Sequence, residues 1–116
     1  ASDQGAKAYR AATELLEAAL EGGAVMAERA LKQGPFAARG EFTAMLDALD
    51  EALGEAARAE SGAAPRRTVA KGLRRRSLPG ILEAQRHVAE AREAAAGNVN
   101  PQLLTAVLGD QLGRCL

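Results

Sequence analysis

The densest chemistry in this chain is cationic. Arg66, Arg67, Lys71, Arg74, Arg75 and Arg76 crowd into residues 66–76 with no acid among them. Charges at that density could neutralise a phosphate backbone. The stretch has no aromatic side chain to stack a base and no recognisable reading helix. Three roles therefore stay open for it: nucleic-acid contact, pairing with a partner subunit or within the chain, and a plain solvated face.

The remaining chemistry-bearing residues are sparser. His87 follows Glu83 by four residues and precedes Glu90 by three, so the three can share a helix face in the manner of carboxylate–histidine metal ligands. Di-iron bundles need a second histidine and carboxylates on facing helices, and this chain has one histidine in all, so no metal is expected. Ser2, Ser61 and Ser77 lie in terminal, loop and cap contexts, which suits no Ser/His/Asp nucleophile system. The single Cys115 excludes an internal disulfide framework and a cysteine-based zinc site. There is no G-x-x-x-x-G-K-[ST] phosphate loop and no acidic magnesium motif after an apolar strand. The chain is thus expected to carry no cofactor and no catalysis of its own.

Composition bounds what can hold these residues in place. At 116 residues, 47% hydrophobic and 26% charged, the chain fits one globular domain, residues 1–116. Aromatics make up 3% and there is no Trp, so the core must be built from Ala, Leu, Val and Met. Net charge is zero but uneven: residues 1–60 hold six Lys/Arg and eleven Asp/Glu, a balance of −5, and residues 61–116 hold nine and four, a balance of +5. No run of 18 apolar residues and no basic stretch leading into an apolar one is found, which predicts neither membrane insertion nor secretion and makes cytoplasmic the expected location. The start at Ala1 without an initiator Met, directly into a helical pattern, predicts a C-terminal piece of a longer chain.

Periodicity supplies the elements. GAKAYRAATELLEAALEGG spaces Ala8, Ala12, Leu15, Leu16, Ala19 and Leu20 as one amphipathic helix that Gly22-Gly23 ends. A shorter helix puts Met26, Ala27, Ala30 and Leu31 on one face before Gly34-Pro35. EFTAMLDALDEALGEAARAE has the cleanest stripe, through Phe42, Met45, Leu46, Leu49, Leu53, Ala56 and Ala57, and should be central to the core. Behind the loop SGAAP, the basic run predicts a short helix through Val69 and Leu73. Ser77 can cap the next helix, with Leu78, Ile81, Leu82, Val88, Ala91 and Ala95 facing in. The fold class that results is all-α, a bundle of five or six helices.

GNVNP, residues 97–101, joins that helix to the last one. Gly97 suits the left-handed conformation that ends a helix, and Asn98 tolerates it if the end slips by one. Asn100 is a strong N-cap with Pro101 at the first helical position, and Val99 can close on Leu104 as a hydrophobic staple. The final helix then directs Leu103, Leu104, Val107, Leu108 and Leu112 inward.

A long Glu/Arg/Ala helix ending in Asn98-Val99-Asn100-Pro101-Gln102-Leu103-Leu104, followed by a short leucine-rich helix, resembles the C-terminus of the bacterial DNA polymerase III delta-prime subunit. Upstream, ILEAQRHVAEAREAAAG is similar to that family's penultimate helix and EFTAMLDALDEALGEAARA to an earlier helix of the same domain. The resemblance spans residues 40–113, strong at the end and loose before it, and gamma/tau subunits share the architecture. It implies a clamp-loader collar: a helical domain that follows an ATPase-type module and associates side by side with the corresponding domains of the other clamp-loader subunits. On this reading the chain helps to hold the complex together during DNA replication. The alternative is an independent helical module that binds nucleic acid through residues 66–76.

Overall fold

Runs rich in alanine, leucine and glutamate carry high helix propensity. In the computed structural model they form five α-helices: α1 (Asp3–Glu21), α2 (Gly23–Leu31), α3 (Arg39–Glu60), α4 (Leu78–Ala95) and α5 (Pro101–Cys115). The structure describes residues 3–33, 39–66, 68–97 and 99–116, among which no strand occurs. Arg67, Asn98 and the Gly34-Pro35 break lie outside the described residues.

The helix ends follow local backbone chemistry. Between α1 and α2 the chain turns at Gly22 and Gly23, whose φ angles of 74° and 54° are open to glycine and strained for other residues. Ser77 caps α4, its hydroxyl oxygen accepting from the Gly80 N–H at 3.1 Å. Asn100 caps α5 in the same way, its side-chain oxygen accepting from the Gln102 N–H at 2.8 Å, and Pro101 stands at the first helical position.

Packing closes a ring. α3 lies against α1 and α4, and α5 lies against α4 and α1, so these four helices surround the core, with α2 laid over α1 and α5. The interior holds Leu15 and Leu16 of α1, Phe42, Leu46, Leu49 and Leu53 of α3, Ile81 and Val88 of α4, and Leu108 and Leu112 of α5. Alanines fill the remaining seams, among them Ala12, Ala56 and Ala84. Their small side chains let the helix backbones approach closely where aromatic bulk is lacking. The Cα radius of gyration of 13.3 Å matches the roughly 13 Å of a compact unit of this length.

Four expectations need correction. The basic run does not form a helix through Val69 and Leu73; among its described residues only Lys71–Leu73 make a single 3-10 turn. Gly72 weakens a helix there, and Arg75 takes a left-handed φ of 63° that ends it. Gly97 is not left-handed; the end of α4 is tightened instead by the Ala96 and Gly97 N–H groups donating to Glu93 and Ala94 carbonyls at 3.2 and 3.0 Å. Leu103 and Val107, expected inside, are 58% and 47% exposed, and Leu82 and Leu31 also face out. Consecutive apolar residues are 100° apart on a helix, so a face that buries Leu104 and Leu108 turns Leu103 and Val107 away. Val99 is likewise exposed and is not among the side chains packed on the core, so no staple closes over Leu104.

Candidate functional site: the alpha4–alpha5 joint and the basic connection

The described end of the joint, Asn100-Pro101, forms a capped corner. The Asn100 cap and Pro101, which is itself buried, set the direction in which α5 leaves, and Thr105 donates from its hydroxyl to the Pro101 carbonyl at 2.8 Å. The Gln102 side-chain amide donates to the Leu31 and Gln33 carbonyls at 3.0 and 3.3 Å, tying the start of α5 to the end of α2. α5 is thereby held with Leu104, Leu108 and Leu112 inward and with Leu103 and Val107 outward, four residues apart on one face.

At its other end α5 meets the basic connection. Leu73 is fully buried and, with Val69 and Ala70 partly buried beside it, fixes residues 69–73 on the core. Arg76 then turns inward: its guanidinium donates to the Gly72 carbonyl at 3.1 Å and to the Leu116 main-chain oxygen at 2.9 Å. A cation at the carboxyl end of a helix satisfies an otherwise unpaired carbonyl and suits the helix dipole. Arg74 reaches the Val69 carbonyl at 3.4 Å. The Arg66 main-chain N–H donates to the Glu55 carboxylate at 2.6 Å, anchoring the start of the run on α3.

The five described cations are thus not one uniform patch. Arg76 serves the fold, while the side chains of Arg66, Lys71, Arg74 and Arg75 are exposed. No sequence signal marked Arg76 out from its neighbours, because its role depends on α5 returning to residues 72–76.

On α4, His87 lies 3.3 Å from both Glu83 and Glu90, and Arg86 pairs with the same two acids. The Arg86 hydrogen bond, seconded by its charge, holds the Glu83 carboxyl below its usual range. The acids are therefore committed to a surface ion network, and among the described residues no group of three His, Cys, Asp or Glu could hold a metal ion. Burial pushes the Cys115 thiol up, away from the reactive thiolate. No described helix is long and apolar enough to cross a membrane. No family model, no curated protein and no solved structure matches the chain.

Proposed function

We propose that this chain is a subunit-association module of the clamp-loader collar type, nearest to the delta-prime subunit of bacterial DNA polymerase III, acting in the cytoplasm without catalysis of its own. One observation carries the reading: Leu103 and Val107 stand exposed, side by side, on a helix whose course is fixed by the Asn100-Pro101 corner. Leu103 belongs to the stretch in which the chain resembles delta-prime. Exposed apolar side chains on a rigid helix suit helix-face packing against another protein. A bundle of four helices around one small core, with α2 laid over it, is compatible with such a module.

The test is co-elution and pull-down of the chain with the other clamp-loader subunits, repeated with Leu103→Asp/Val107→Asp. The complex should form with the unaltered chain and be lost with the double variant, while the circular-dichroism melt stays unchanged because neither residue is in the core. No complex with any clamp-loader subunit, or one indifferent to both substitutions, overturns the reading.

A second reading, nucleic-acid binding, draws on the exposed Arg66, Lys71, Arg74 and Arg75. It requires affinity for duplex DNA that falls with salt at a log–log slope of about −0.9 per phosphate neutralised. That binding must also be lost when Arg74 and Arg75 are reversed to Glu.

A further inference from the structure

On the opposite flank of α1 from the basic connection, an open cleft of ≈ 600 Å³ lies between α1, α2 and α3. That volume falls inside the range of about 300–1,000 Å³ usual for small-molecule sites. Half-buried Ala11 and Ala44 give it apolar walls, with the buried Ala8, Phe42 and Met45 closing it from beneath. On the rim, Lys7 pairs with Glu41 at 3.3 Å, and Lys32 and Glu14 are the other charged residues besides Arg29 among the described lining.

Arg29 of α2 is the residue this arrangement leaves unexplained. It is half-buried in the cleft wall, yet among the described residues its guanidinium makes two long contacts, to the Gln33 side-chain oxygen and to the Met45 sulfur, each at 3.4 Å. Neither partner is charged, and among the described residues no carboxylate comes within 4.0 Å of it. Burial lowers its pKa, offset in part by the field of the more distant Glu14. A guanidinium offers five donors in a planar fork, and a partly desolvated one without a counter-ion is unfavourable. Its complement is a carboxylate, which takes two parallel N–H bonds. Among the described lining residues, Lys7, Arg29 and Lys32 against Glu14 and Glu41 leave an excess of one positive charge.

We infer that this cleft binds a small organic acid, its carboxylate held by Arg29 and its apolar body laid along Ala11 and Ala44, over Phe42 and Met45. The residues that carry the assignment, Arg29, Ala11, Ala44, Phe42 and Met45, all belong to α1, α2 and α3. It is separate from the outward face of α5, so it stands or falls independently of the association reading.

The probe is octanoate, titrated into the 116-residue chain and followed by amide chemical shifts. Saturable shifts should gather on Ala8, Arg29, Phe42 and Met45. Octanamide, the uncharged counterpart, should bind about tenfold more weakly or less. Arg29→Met should weaken octanoate by a similar factor, and Arg29→Lys, which keeps the charge and loses the fork, should fall between. If Arg29→Met does not fold, the octanamide and Arg29→Lys comparisons decide. Leu103→Asp/Val107→Asp should leave octanoate binding untouched. Absence of saturable shifts, equal affinity for octanamide, or full octanoate affinity in Arg29→Lys together with any folded Arg29→Met would overturn the assignment.

Discussion

Asp50, on the outer side of α3, shows how a single side chain can oppose the fold it sits in. Burial against the neighbouring helix raises its pKa above the ordinary 3.8, a hydrogen bond from Gln85 pulls the other way, and the nearby Asp47 and Glu51 charges add to the rise. The sign follows from linkage. A carboxyl whose folded pKa is raised destabilises the fold while ionised, fully so above the folded pKa, and the effect disappears as pH falls below the unfolded value. Asp50→Asn should therefore stabilise the protein at neutral pH, by about a few tenths of a kcal/mol given the site's solvent exposure. The gain should vanish below pH 3.8, which urea titrations on both sides of that value would read directly. Nothing in the sequence marks Asp50, because its environment is made by α4. Asn100 and Ser77 are the opposite case: their roles act within three residues, so the cap chemistry was legible before any fold was known.

At the scale of elements, glycine separates close approach from mere tolerance. A Cβ on Gly80 would fall well inside contact with the Cys115 carbonyl, which is backbone and cannot turn aside, and 2.9 Å from the Ser77 hydroxyl. Gly80→Ala should push the start of α4 off the end of α5 and destabilise by about 1–3 kcal/mol. Gly54 stands inside α3 with only the Gln85 amide nearby, at an ordinary 3.6 Å. Gly54→Ala should stabilise by about 0.5–1 kcal/mol, through helix propensity and a less flexible unfolded chain. Opposite signs in parallel thermal melts would support this packing, and equal signs would refute it. The sequence shows both glycines as weak points in helices and cannot tell them apart, since the difference lies in which helix passes alongside. The same limit affected α5: its apolar pattern shows that it packs, and only its neighbours α1, α2 and α4 decide that Leu104 goes in and Leu103 stays out.

For the whole molecule, the question is whether α5 is an appendage or a wall. It closes the ring between α4 and α1, and it brings Leu104, Leu108 and Leu112 to a core that has no Trp and few large side chains. Gly113 shows how closely it is set: a Cβ there would lie 2.7 Å from the Ala19 carbonyl of α1. Truncation after Gly97 removes all three buried leucines and uncovers Met26 and Ala19, which α5 now shields. Removing a single buried leucine side chain typically costs about 2–5 kcal/mol. Losing three is comparable with the whole stability of a small domain, about 5–15 kcal/mol. The shortened chain should therefore lose its cooperative melt and much of its helicity per residue. Circular dichroism with a thermal scan checks this. A truncated chain that keeps both its helicity per residue and its melting temperature would mean that α1 to α4 form a complete core and that α5 rests on it from outside.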